Sequence, residues 1–271
     1  MKLRAQHRTI ISAVRPNAGV AAAYRKALLQ QIEKMGADVE DTIVPIYKKK
    51  LGLDATLQGT LAGLRRRWLK SFDGIAPQIA ESFAQNAMKH TDLAFNAALS
   101  KGGFTVPFRL TPKIQMELVK RTKTNVDLIK TIPEEFFRDV HKAVFDSVKA
   151  GRDLSALTEH LHHAYDVTRR RAAFIARDQN NKATASIHQL RQLELGITQG
   201  RWRHTAASVT PRPEHQDFDG QEYDIATGHD FDDELGPVLP GEAYNCGCVG
   251  ESIIPGFDGE DGEQSNQGEG Q

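Results

Sequence analysis

The side chains best suited to chemistry lie near the C-terminal end of the chain: His204, His215, Cys246 and Cys248. Two imidazoles and two thiolates form a donor set that matches tetrahedral zinc. Asp217, Asp219 and His229 stand nearby as reserve ligands. The spacing departs from zinc-finger patterns, because the histidines are eleven residues apart and the cysteines are separated by one residue only. The alternative reading is two small buried thiols in a tight turn. A metal-dependent nuclease or other hydrolase would use His215 as base or ligand, Asp217 and Asp219 as carboxylates and the thiols as metal ligands. A cysteine nucleophile would need a histidine brought beside it and a third orienting group, and none stands out. The chain has no Gly-rich phosphate loop, no His-Glu-x-x-His helix and no Gly-x-Ser-x-Gly elbow, so a role without catalysis is the stronger expectation.

Turn-forming residues surround these candidates. Asp219-Gly220 and Pro240-Gly241 are turn signals in which glycine supplies a positive φ. Pro211-Arg212-Pro213 stiffens a connection and leaves Arg212 projecting from extended backbone. The Asn245 side chain is of the kind that bonds to local backbone. Residues 201–255 hold five prolines and few helix formers, which predicts a small loop-rich module with short strands at most. With Trp202, Phe218, Tyr223, Phe231 and Tyr244 as its main bulky residues, the module must lean on other elements, bind a metal, or both. Trp202 is the expected point of attachment to the helix before it.

Those other elements read as helices. Residues 1–110 form a helical region rich in Ala, Leu, Lys, Arg and Gln, with helices interrupted near Pro45 and Pro77. Residues 101–112 form a linker, with paired glycines and two prolines. In residues 111–200, Ile114, Leu118, Val126 and Ile129 mark one helix. Thr131, Pro133 and Glu134 look like the start of another, with an apolar stripe through Phe137, Val140, Val144 and Val148. Asp153 caps a short helix through Leu154, Leu157 and Leu161. A longer helix over 166–195, closed by Gly196, would reach roughly 45 Å at ~1.5 Å per residue. The expected fold class is therefore mainly α: an elongated helical body with a long helix leading into a small C-terminal loop-rich α+β module. Residues 256–271, with five acids, five glycines and no basic residue, read as a disordered acidic tail.

The net charge of zero hides a division: residues 1–200 carry 32 basic and 19 acidic groups, and residues 201–271 carry 3 and 16. A basic helical body can lie against packaged DNA or an acidic protein surface, or against the chain's own acidic module. The low aromatic content, 7%, argues against a single-strand nucleic-acid binder, and no DNA-reading motif is present. Non-specific DNA contact is the most to expect. No targeting or membrane-spanning stretch is evident, so no membrane anchor is expected. Neighbouring cysteines are no disulfide framework and fit a reducing site of synthesis.

Trp202, Pro211-Arg212, His215, Asp219-Gly220, Pro240-Gly241 and Asn245-Cys246-Gly247-Cys248, taken in order, resemble the C-terminal signature of the phage Mu F-like head morphogenesis proteins, which are minor head proteins of tailed phages and prophages. The preceding Ile175-Ala176-Arg177-Asp178-Gln179 and Leu195-Gly196-Ile197 resemble the family's Ala-Arg-rich helix and the Gly-Ile step before the tryptophan. The likeness covers roughly residues 140–255. Many relatives have arginine where this chain has Gly247, and one branch has an acid near Ala207 and Ser208. The resemblance implies a minor capsid protein present in few copies near the portal, with portal, capsid or scaffolding protein as partners. It implies work in head assembly or DNA packaging and ejection, and a place in the virion after assembly in the host cytoplasm.

Overall fold

A computed structural model describes residues 8–49, 53–205, 211–232 and 236–256. The expectations for Ala207, Ser208 and, beyond Gly256, the acidic tail lie outside the described residues. Four long helices, α1 (Ala18–Lys48), α2 (Leu53–Lys101), α3 (Pro112–Lys149) and α4 (Leu154–Glu194), carry most of the chain. Strands β1 (Arg8–Ile11), β2 (Gln199–Arg203), β3 (Glu222–Asp224) and β4 (Val249–Pro255), with the short helix α5 (Pro213–Asp217), make up the rest. The protein is mainly α, with a small antiparallel sheet beside the C-terminal module.

Each long helix forms because an apolar stripe repeats at helical spacing. In α1 the buried positions are Val20, Tyr24, Leu28, Ile32, Met35, Val39, Ile43 and Tyr47, steps of three or four residues that hold one face inward. The starts of three helices are capped by side chains: Asn17 accepts from Val20 N, Thr111 from Ile114 N with Pro112 following, and Asp153 from Ser155 N and Ala156 N. The helices pack α1 on α2, α2 on α3, α3 on α4 and α4 on α1, closing a four-helix bundle. Buried hydroxyls mark its diagonal, where Tyr24 Oη donates to Asn125 Oδ1 at 2.9 Å and Tyr47 Oη lies 2.6 Å from Ser147 Oγ. With 49 residues, α2 runs about 70 Å at ~1.5 Å per residue, so the body is elongated.

Helix boundaries differ from the sequence reading in three places. Pro77 lies inside α2 and does not interrupt it, whereas α1 ends at Lys48, three residues past Pro45, as expected. Pro133 lies inside α3, so Thr131 starts no helix; its hydroxyl donates to Leu128 O and accepts from Arg171 Nη2. A proline in a helix interior costs roughly 3 kcal/mol, which burial of Ile129, Ile132, Phe136, Phe137 and Val140 along one face outweighs. The short helix after Asp153 and the long helix over 166–195 are one continuous α4, because nothing between them breaks the backbone ladder. Gly196 ends it at φ +73°.

The sheet has the order β1-β4-β2-β3, all neighbours antiparallel. Its edge strand β1 comes from the first residues described, with Ile11 opposite Ser252 and Arg8 opposite Pro255. A second apolar cluster, including Ile11, Val14, Phe95, Leu99, Ile197, Trp202 and Tyr223, joins the sheet to one end of the bundle.

Candidate metal centre

Three separate pieces of chain deliver the candidate ligands. His204 follows β2, His215 sits in the middle of α5, and Cys246 and Cys248 occupy the turn before β4. The sequence folds each piece into place through the turn residues around it. Asp219 Oδ1 accepts from the His204 backbone N–H at 2.8 Å, while Gly220, at φ +80°, returns its N–H to Trp202 O. Arg212 has extended backbone at the N-cap of α5, Pro213 opens the helix, and Arg212 Nη1 donates to Tyr244 O. Gly241 takes φ +87° after Pro240. Cys246 N donates to Ala243 O, and Thr205 Oγ1 donates to Gly247 O at 2.6 Å.

The ligand atoms of His215, Cys246 and Cys248, all three buried, lie within 4.8 Å of one another. Nδ1 of His215 is 3.5 Å from the Cys246 sulfur and 3.8 Å from that of Cys248. His204 reaches the group from its rim, its Nδ1 3.7 Å from the Cys248 sulfur. Around tetrahedral zinc, bonds of ~2.3 Å to sulfur and ~2.0 Å to nitrogen separate the two donors by about 3.5 Å. The sulfur–nitrogen distances therefore suit a single zinc without rearrangement of the three buried ligands. Asp217, Asp219 and His229 do not join them among the described residues. Asp219 is used by the His204 backbone, and the His229 ring stacks on Phe218 at 3.7 Å.

Local electrostatics favour the anionic form at one of the two sulfurs. A hydrogen bond from Cys248 holds the Cys246 thiol well below its ordinary range, against the effect of burial. His215 and the backbone N–H groups of Cys248 and Gly241 act in the same direction. The shared contact and burial push the Cys248 thiol up, so the pair resists losing both protons while no cation is present. A divalent ion between two thiolates and two neutral imidazoles would remove that conflict, since the net buried charge is zero.

An aromatic box fixes the His215 ring. Trp202, fully buried, meets His215 edge-on at 5.1 Å, and Phe231 stacks on His215 at 4.4 Å while also meeting Trp202 edge-on at 5.3 Å. Phe218 and Tyr223 complete the contacts of Trp202. All four of these ring partners lie in the module, so Trp202 is its centre, and the apolar cluster it belongs to includes Leu193 at the end of α4. The module is also attached to α4 by a polar seam that the sequence reading did not single out. Asp178 Oδ1 accepts from Asn245 N, Arg177 Nη2 donates to Asn245 Oδ1, and Asn181 Nδ2 donates to Cys246 O. Farther along α4, Gln189 donates to Ile225 O and Gln192 to Ser252 Oγ. The Asn245 side chain thus bonds across to α4, while its φ of +56° makes the turn. The signal for this seam is a run of polar residues on the buried side of a helix, which needs partners there.

Residues 138–251 match the family described as Phage Mu protein F like protein, a span that takes in the end of α3, all of α4 and the module into β4. Over that span, less than half of its length, the chain is similar to this family. An uncharacterized protein of Haemophilus influenzae is 28% identical over 235 residues, covering 83% of this chain and 51% of that protein. The chain thus spans about half the length of this curated relative. No solved structure matches the chain.

Proposed function

We propose that this chain is a minor head protein of a tailed phage or prophage, acting in head morphogenesis near the portal, with a role in DNA packaging or ejection. The observation that carries this reading is that the Mu F-like match, residues 138–251, takes in all of α4 and most of the module seamed onto it. In this reading the helical body is the part that meets portal, capsid or scaffolding protein, and the module is a rigid fitting at its end.

His204, His215, Cys246 and Cys248 hold one zinc ion in this proposal, and the ion's task is to fasten β2, α5 and the turn before β4 to one another. The fit of the sulfur–nitrogen distances to tetrahedral geometry supports that assignment. A hydrolytic zinc needs an open position beside a base or carboxylate. Here the three inner ligands are buried, and Asp217 and Asp219 are directed to other tasks or lie apart from them. A fastening role fits this arrangement better than metal-dependent hydrolysis.

The test is to express the chain with its cognate portal and capsid proteins and follow it through particle purification. Co-purification with portal oligomers or procapsids, in few copies per particle, is the expected result. A monomer that binds none of portal, scaffold or capsid would overturn the reading, as would metal-dependent nicking of plasmid that Asp219→Ala abolishes.

A further inference from the structure

Between the start of α1, the middle of α4 and the turn that carries the cysteines runs an open groove of about 720 Å³. Small side chains from both helices, Ala21 and Ala22 on one and Ala173 and Ala176 on the other, keep its floor low. Three arginines line it: Arg15 before α1, Arg25 on α1 and Arg177 on α4. Arg15 and Arg25 are exposed, and neither has an ion-pair partner among the described residues; Arg177 gives one N–H to Asn245. No aspartate or glutamate lines the groove, and α1 has no acidic residue in its first turn to offset the positive end of the helix.

A second feature points to the kind of ligand. Asn180 lines the same groove and is 3% exposed; its Nδ2 donates to Asn17 O, while its Oδ1 is buried with no hydrogen-bond partner among the described residues. An orphaned buried acceptor carries a desolvation cost that a donor would remove.

We propose that this groove binds an extended acidic segment of a partner protein. Carboxylates of such a segment pair with the guanidinium forks of Arg15 and Arg25. The alanine floor admits a peptide backbone at close range, and a peptide N–H supplies the donor that Asn180 Oδ1 lacks. A phosphodiester backbone satisfies the arginines but brings only acceptors to Asn180, so the chemistry favours peptide over nucleic acid. Because the Cys246–Cys248 turn and Thr205 form part of the wall, a bound segment would touch bundle and module together. The inference goes beyond the proposed place in the head and does not depend on metal.

The test uses the full chain and a fluorescently labelled peptide of alternating aspartate and alanine, about eight residues long, enough to cross the groove at ~3.3 Å per residue. Saturable binding is expected by anisotropy, weakened at least about tenfold by Arg15→Ala with Arg25→Ala and by Ala22→Phe, which fills the groove. Arg65→Ala with Arg66→Ala, an equal loss of exposed charge on α2, is expected to leave binding within about twofold. Matching melting temperatures check that each variant is folded. The proposal is overturned if the peptide does not saturate, if the Arg65 and Arg66 pair costs as much as the groove pair, or if Ala22→Phe has no effect. Tighter binding of a charge-matched single-stranded oligonucleotide at the same residues would overturn it in favour of nucleic acid.

Discussion

One source of acid destabilisation in this protein is His188 on α4. Its ring is wholly buried, meets Phe95 edge-on at 4.5 Å, and keeps Nε2 without a hydrogen-bond partner among the described residues. Burial lowers its pKa from 6.5 to about 3. The unfolded chain therefore takes up a proton below pH 6.5 that the folded chain refuses, so the stability from neutral His188 is complete above that pH and is lost as pH falls toward 3. At ~1.36 kcal/mol per unit, moving from about pH 7 to about pH 5 removes roughly 2 kcal/mol, and the loss reaches about 4 kcal/mol near pH 3. Denaturant unfolding of the native chain and of His188→Leu, at both pH values, isolates the effect. Other acid-sensitive groups, Cys246 and Asp224 among them, contribute alike to both proteins and cancel in the difference. The native chain should lose about 2 kcal/mol more than the variant. Losses equal within about 0.5 kcal/mol would refute the assignment of a neutral buried imidazole.

Two further substitutions probe the ends of the same helix and the module. Arg191, 1% exposed, gives two N–H groups to Asp92 at 2.8 Å each, one to Arg109 O and one to Glu194. Arg191→Leu should cost about 3 kcal/mol by leaving partly buried carboxylates unpaired, and adding Asp92→Leu should recover part of it; equilibrium unfolding of the single and double variants reads both. Trp202→Ala should cost about 3 to 5 kcal/mol and remove the near-ultraviolet signal of the aromatic box, while far-ultraviolet helicity stays.

The parts of this fold legible in the sequence are those that local chemistry decides. Asp153 as a cap, Gly196 as a helix end, the glycines at 220 and 241, and the extended Arg212 before Pro213 each follow from the conformations their side chains permit. The meeting of His215, Cys246 and Cys248 was legible as well, because a ligand-type set crowded into a core-poor segment has few other uses. Helix continuity was not, since the cost of Pro133 is local and the burial that outweighs it comes from α2 and α4, distant in sequence. The pairing of β1 with β4 joins residues more than two hundred positions apart, and four residues ending in Ile10 and Ile11 carry no signal for such a partner. The surroundings of Trp202 were hidden for a related reason: its size predicted burial, but which rings it meets depends on where Phe218, Tyr223 and Phe231 fold.

The most direct test of the account is the zinc content of the full chain, purified with no metal added and measured by elemental analysis. The account predicts about one zinc per chain, lost in Cys246→Ser and Cys248→Ser with a clear drop in melting temperature, and held more weakly in His204→Ala. Zinc far below one equivalent, with Cys246→Ser as stable as the native chain, would contradict it.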